Sequence, residues 1–342
     1  AAAVAVNMEM FLDKRNRLAM GIGHAVAFQM AVFQGQGIFA GAAPYTFDYN
    51  VDSEVSSFNV LYFAEGRKTS TYASNLCVVS RNILADDLTL DDVSAAFLFD
   101  INNNNVLFAK NVFVQVAPAS LTKIMTAIVA LKYGSLDQTL TASNAVNISE
   151  WGAQLAGITA GDKMTLGQAL HILLIYSAND VANLIAENIG GSVEGFVEMM
   201  NAEAQRLGAT NTHFTNAHGL DDPDHYTTAY DLYLMFNEAV KYSEFTEIIH
   251  MASYQTAFYD KSGKVKNLTV NTTNRYLKGT TNLPGNVTVI GGKTGSTSSA
   301  GNCLILLTRD INGAPYISCV MNCASADVMY ENMTDLLKQI TK

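Results

Sequence analysis

The chain has 342 residues, 49% of them hydrophobic, which is enough to bury the core of one large domain or two smaller ones and excludes wholesale disorder. Its formal net charge of -10, with 21 Lys and Arg against 31 Asp and Glu and no basic stripe, excludes a nucleic-acid footprint, because phosphate binding needs clustered cations. At the N-terminus, Lys14, Arg15 and Arg17 precede a mostly apolar stretch from Leu18 to Phe39, broken by His24, Gln29, Gln34 and Gln36. Small residues at Ala40, Ala42 and Ala43 follow, before Pro44. That layout makes residues 1–43 an expected signal peptide or N-terminal membrane anchor, and therefore points to export. Residues 44–92 are rich in Ser, Asn, Asp and Thr with no sustained period, and read as a polar spacer. The remaining stretch, 93–342, reads as a single domain.

Within that domain, apolar runs at Ala95 to Ile101 and Val106 to Ala109 flank Asn102 to Asn105, which predicts a β-hairpin with an Asn-rich turn. Helical patterns dominate from Ser120 to Tyr242. Thr165 to Tyr176 is one such segment, Val181 to Ile189 stops at Gly190-Gly191, and Val193 to Leu207 stops at Gly208. Tyr254 to Tyr259 and Val265 to Val270 predict a second hairpin around Lys261-Ser262-Gly263. Strands return at Val287 to Ile290, Cys303 to Thr308 and Tyr316 to Asn322, and Asp327 to Ile340 reads as a closing helix. Strands at both ends of a helical block predict an α+β fold, with one antiparallel sheet built from N- and C-terminal segments, flanked by helices and interrupted by a helical subdomain. The four cysteines, Cys77, Cys303, Cys319 and Cys323, lack the spacing of a zinc site and read as buried free thiols.

Three short strings carry the chemistry: Ser120-Leu-Thr-Lys123, Ser177-Ala-Asn179 and Lys293-Thr294-Gly295. Alone each is weak, since a given Ser-x-x-Lys or Ser-x-Asn arises about once by chance in a chain of this length. Their order and setting decide. Leu121, Ile124, Met125 and Ile128 fall at helical spacing after Pro118, so Ser120 stands near a helix start with Lys123 one turn on, over the same face. A serine hydroxyl becomes a nucleophile when a base takes its proton, and a lysine serves as that base only when neutral. Burial beside a second cation favours the neutral form, and Lys293 is a candidate for that cation. Ser177 and Asn179 lie between two helical segments, where a hydroxyl can relay a proton and an amide can orient Lys123 and a substrate carbonyl. Helix capping is the plainer reading of that string, and Asp180 fits such a cap. Lys293, Thr294 and Gly295 follow Gly291-Gly292 on a strand that an extended peptide could join, with the lysine and threonine suited to a carboxylate. The backbone N–H groups of Ser296 and Ser120 could together form an oxyanion hole.

Pro118-Ala-Ser-Leu-Thr-Lys-Ile-Met-Thr126, Ser177-Ala-Asn-Asp180, His218-Gly-Leu-Asp-Asp222, Tyr226-Thr-Thr-Ala-Tyr-Asp231 and Gly292-Lys-Thr-Gly-Ser-Thr297 with Ala300-Gly301 resemble the low-molecular-mass penicillin-binding proteins of the serine D-Ala-D-Ala carboxypeptidase family, peptidase family S11. The resemblance runs from about Ser94 to the C-terminus. It implies a β-lactamase/transpeptidase-like fold and an acyl-enzyme on Ser120, formed by attack on the bond between two terminal D-alanines of a peptidoglycan stem peptide. Lys123 would be the base, Ser177 and Asn179 would assist, and Lys293, Thr294, Gly295 and Ser296 would bind substrate. β-Lactams are the implied covalent inhibitors, with no cofactor and no metal. Many members of the family carry a C-terminal amphipathic anchor. With this sequence stopping at Lys342, membrane association is expected through the N-terminal segment of an exported, cell-wall or membrane-associated protein.

Other readings remain. A class A β-lactamase shares the three motifs but holds a glutamate near the acyl-enzyme, and no Glu-x-x-x-Asn string lies between Ser177 and Lys293. A non-catalytic cell-wall sensor could keep the pocket without the chemistry, and the motifs do not separate trimming of the terminal D-alanine from cutting of cross-links. His218, Asp221, Asp222, Asp224 and His225 are dense enough to suggest a metal, but the resemblance places them in a metal-free loop, with Gly219 and Pro223 fitting a turn. His171, on an apolar helix, reads as a packed core histidine.

Overall fold

The computed structural model describes residues 60–62, 68–70, 75–90 and 92–341. The expected leader at 1–43 lies outside these residues, as does most of the expected spacer up to 74. The chain divides into two units, 1–74 and 75–342. In the first, strands β1 (Val60–Tyr62) and β2 (Lys68–Ser70) pair antiparallel with Leu61 opposite Thr69.

The second unit is built on a five-stranded antiparallel sheet in the order β4-β3-β11-β10-β9: β3 (Ala95–Asp100), β4 (Asn105–Lys110), β9 (Val287–Thr297), β10 (Gly301–Asp310) and β11 (Pro315–Cys323). Its two N-terminal strands lie beside three C-terminal ones, as the sequence predicts. All six residues of β3 are buried. Ala95, Phe97 and Phe99 face one apolar core, while Ala96 and Leu98 face a second. A strand covered on both sides reads as a continuous apolar run, which is why no alternation marks it in the sequence. The Asn-rich turn is held by Asp100, whose Oδ1 accepts from the backbone N of Asn102 and Asn103 at 2.9 and 3.0 Å.

The closing helix α7 (Ala326–Leu337) covers one face of the sheet with Met329, Met333, Leu336 and Leu337. The inserted segment covers the other. At its centre runs α1 (Lys123–Tyr133), buried at every position from Lys123 to Ala130, so it behaves as an interior helix with no polar stripe. Around it stand α2 (Leu166–His171), α3 (Asn179–Gly190), α4 (Val193–Leu207), α5 (Ala229–Ala239) and α6 (Ser243–His250). The glycine stops work as predicted: Gly191 and Gly208 end α3 and α4 in left-handed conformations, φ 76° and 83°. The inserted segment also carries a second sheet, β5-β6-β7-β8, made of β5 (Thr139–Thr141), β6 (Lys163–Thr165) and the predicted hairpin β7 (Ser253–Tyr259) and β8 (Val265–Asn271). The strands β5 and β6 have three residues each, too few to show a period.

One boundary differs from expectation. Residues 75–90, assigned by composition to the spacer, are packed on this unit: Cys77 and Leu90 are buried, and Ile83 exchanges two backbone hydrogen bonds with Ala109. The Tyr233 hydroxyl accepts from Cys77 N, and the Tyr230 hydroxyl donates to Cys77 O. A few apolar anchors suffice to dock a polar segment, and average composition hides them. All four cysteines are buried free thiols.

The edge strand β9 depends on Gly291 and Gly292. A Cβ on Gly292 would stand 2.1 Å from the Ile305 carbonyl oxygen in the neighbouring strand, and one on Gly291 would stand 2.3 Å from the Ile249 carbonyl of α6. Gly292→Ala is therefore expected to lower stability by about 2 kcal/mol, read as a fall in the urea midpoint at unchanged m-value.

Candidate active site

Pro118 leads into a short 3₁₀ turn, Ala119–Thr122, that hands over to α1 at Lys123. Ala119 has φ 48°, a left-handed conformation that costs an L-residue on the order of 1 kcal/mol and is held here by close packing. Gly219 makes that packing possible, since a Cβ there would lie 1.9 Å from Ala119 O. Ser120 sits in this turn, partly open to the cleft, and Lys123 is fully buried beneath it. The Lys123 Nζ reaches three oxygens: Ser120 Oγ at 2.9 Å, Asn179 Oδ1 at 2.6 Å and the His218 carbonyl at 2.6 Å. Burial holds its pKa well below the ordinary lysine value. Lys293 pushes it the same way, and Asp180 opposes. A neutral amine has two N–H donors and one lone pair. With Asn179 and His218 as acceptors, the lone pair is left for the Ser120 hydroxyl proton.

Ser177 is positioned by backbone irregularity. Helix α2 runs into a π-helical turn at Ile172–Tyr176, and the chain leaves it through Ser177 at φ 70°, ψ 33°. π-Turns and left-handed non-glycine residues are costly and concentrate where a side chain must be aimed. Two residues on, α3 starts at Asn179. Asp180 does not serve as the helix cap expected from the sequence, because the N-cap is Ala178. Its carboxylate instead accepts from the backbone N of Ala156, Gly157 and Ile158 at 2.8–3.1 Å, tying down a distant loop. The same loop accepts from Asn179 N through Gln154 O at 2.8 Å.

Lys293, Thr294, Gly295 and Ser296 all lie within β9. The Lys293 Nζ donates to Ser177 Oγ at 2.8 Å and to Thr294 O at 2.7 Å, and the residue is 1% exposed. Burial pushes its pKa down to about 7. The Thr294 and Thr273 hydroxyls bond at 2.6 Å. A Cβ on Gly295 would come within 2.9 Å of Ser120 N, so glycine lets the strand lie close against the serine turn. Ser296 is exposed, opposite Asn302 of β10.

The structure thus brings all eight predicted residues together. Ser120, Ser177, Asn179, Thr294, Gly295 and Ser296 line a cleft of about 410 Å³, and the two lysines stand behind its walls. Sequence reasoning missed Arg275 and the loop residues Gly152 to Gln154, which line it too. Arg275 pairs with Asp327 and lies over the Tyr330 ring at 5.0 Å. No local motif marks any of these; only tertiary packing places them.

The His218 to His225 string is committed to internal bonds. Asp221 accepts from the Thr297 and Ser298 hydroxyls and from Ser299 N, fixing the turn after β9, and hydrogen bonding holds its carboxyl below its usual range against burial. His225 bonds the Thr122 hydroxyl at 2.8 Å and accepts from Thr215 N, and burial pushes its pKa down to about 4. His218 accepts from Leu220 N and is pushed to about 3 by burial and Lys123. His171 is half-buried, stacked on Tyr254 at 4.2 Å.

Residues 86–325 match the family model of the D-alanyl-D-alanine carboxypeptidases, Peptidase_S11. The carboxypeptidase DacF of Bacillus subtilis is 37% identical over 218 residues, covering 62% of this chain and 53% of that protein. DacA of Haemophilus influenzae is 32% identical, covering 66% of this chain and 55% of that protein. The chain spans about half the length of these curated relatives. The crystal structure of the Streptomyces K15 DD-transpeptidase superposes with a TM-score of 0.67 at 27% identity, covering 75% of this chain and 98% of that one. The sheet, the inserted helices and the clustered serine and lysine motifs agree with a match over most of the sequence: the chain belongs to the D-alanyl-D-alanine carboxypeptidase family S11.

Proposed function

We propose that this protein is a serine D-alanyl-D-alanine carboxypeptidase, acting outside the cytoplasmic membrane on peptidoglycan stem peptides. The observation that carries the reading is the buried Lys123 amine 2.9 Å from Ser120 Oγ, with both other partners of that amine being acceptors. In this mechanism the neutral Lys123 takes the proton of Ser120 as Oγ attacks the carbonyl of the penultimate D-alanine. The N–H groups of Ser120 and Ser296 hold the developing oxyanion. As the C–N bond breaks, the Lys123 ammonium returns its proton by way of the Ser177 hydroxyl, which Lys293 orients, to the leaving amine, and Lys123 is neutral again. Free D-alanine departs, water attacks the Ser120 ester with Lys123 accepting its proton, and as the ester C–O bond breaks Lys123 passes that proton to Ser120 Oγ, which regenerates the serine and releases the shortened peptide. Asn179 fixes Lys123 and the substrate amide. Lys293 and Thr294 receive the terminal carboxylate, which suits removal of a chain-terminal residue better than cleavage of an internal cross-link.

The location follows from the substrate class and from the expected leader at 1–43, which would supply export or membrane attachment. Among the described residues no helix is long and apolar enough to cross a membrane. A sensor without catalysis would not need two lysine amines desolvated against one another, since that arrangement is costly unless the neutral form is used.

Ser120→Ala should abolish D-alanine release from a stem pentapeptide and labelling by fluorescent penicillin, while the thermal midpoint stays within a few degrees of wild type. Retained release would sink the acyl-enzyme. In the unliganded enzyme Lys293, with a pKa near 7, loses its charge as pH rises. The carboxylate is then held less firmly, so kcat/KM should fall above about pH 7, mainly through KM. A profile still rising at pH 9 would exclude a cationic role for Lys293. Nitrocefin should leave a persistent adduct on Ser120, visible by intact-protein mass spectrometry; rapid multiple turnover would favour a lactamase.

A further inference from the structure

Trp151 is the only tryptophan in the chain and is fully solvent-exposed. A large aromatic side chain left entirely in water is uncommon, and tryptophan is over-represented among residues that grip a partner. Its position gives that exposure a purpose. Residues 152, 153 and 154, which follow it directly, form one wall of the catalytic cleft. The edge strand of the main sheet, β9, lines the same cleft at Thr294 to Thr297.

The loop that carries Trp151 is anchored. Ala153 N donates to Glu150 O, closing the turn that carries Trp151. Gln154 accepts from Asn179 N through its carbonyl and donates from Nε2 to Tyr176 O at 3.0 Å. Ala156, Gly157 and Ile158 then give their backbone N–H groups to the buried Asp180 carboxylate. The rim is therefore fastened to the same α2–α3 junction that aims Ser177 and Asn179. Trp151 is held in register with the catalytic groups, with its ring unpacked.

We infer that Trp151 is a specificity-determining residue that stacks on the part of the stem peptide upstream of the scissile bond, and so favours long peptides over short D-Ala-D-Ala substrates. This rests on the carboxypeptidase reading. An extended peptide paired along β9 advances about 3.3 Å per residue. One whose last two residues fill the cleft beside Ser120 emerges past the rim within the next residue or two, at the level of the 151–154 turn. Backbone amide planes and aliphatic side chains there can stack on an indole whatever their identity, which gives a length preference with little sequence preference.

The test compares N-acetyl-D-Ala-D-Ala with a stem pentapeptide ending in D-Ala-D-Ala. Trp151→Ala should lower kcat/KM for the pentapeptide about tenfold through KM, shift the short substrate by less than about twofold, and be largely rescued by Trp151→Phe. Equal losses on both substrates would show that the loop only maintains the site, and no loss on the pentapeptide would show that the indole touches nothing; either overturns the inference. As the sole tryptophan, the residue also reports directly. Pentapeptide added to the Ser120→Ala protein should move its emission to the blue, and binding seen by equilibrium dialysis without an emission change would likewise overturn it. If wild type releases no D-alanine from either substrate, the carboxypeptidase reading itself falls, an outcome distinct from a Trp151 variant that matches an active wild type.

Discussion

Two amines, those of Lys123 and Lys293, are withdrawn from water on either side of one cleft, and much of the fold exists to hold them there. An amine in water at neutral pH is a cation and no base. Desolvation reverses this for both amines, and Lys293 also pushes the charge off Lys123. The arrangement needs an interior helix to carry Lys123 and an edge strand to carry Lys293. It also needs acceptors for every N–H that remains, which Asn179, the His218 carbonyl, Ser177 and the Thr294 carbonyl supply. Stability given up to bury two amines is recovered by two apolar cores on opposite faces of the sheet.

The same logic accounts for irregular backbone near the cleft. Ala119 and Ser177 are both left-handed, one on each side of Lys123, and neither is a glycine. Gly219 and Gly295 do the complementary work: they carry no side chain where a strand or loop must touch the serine turn. Strain at residues that aim side chains, and absent Cβ atoms at residues that let backbone approach, together bring three sequence-distant strings within hydrogen-bond reach.

Much of this was legible in the sequence, for identifiable reasons. Helix phase set Lys123 over Ser120, continuous apolar runs marked β3, β10 and β11, and glycines marked the ends of α3 and α4. What escaped was non-local. Asp180 looked like a helix cap because a cap is the best local use of an aspartate at that position, yet its partners lie at 156–158. Arg275 and the 152–154 wall join the cleft through tertiary contacts that leave no trace in spacing. The strands β5 and β6 are too short to have a period, and the docking of 75–90 rests on a few apolar residues within a polar stretch.

The interleaved order of the central sheet has a consequence for how the protein comes into being. β3 pairs with β11, so Ala96 lies opposite Val320 and the sheet closes only across more than two hundred residues of intervening chain. β9, which carries Lys293, sits at the far edge and is joined to β3 only through β10 and β11. A chain emerging from the ribosome therefore carries its serine and first lysine long before the strands that complete their surroundings. Pairing of such high contact order is slow. The central sheet, and with it the meeting of Ser120 and Lys123 with Lys293, is thus completed only when the last strands arrive.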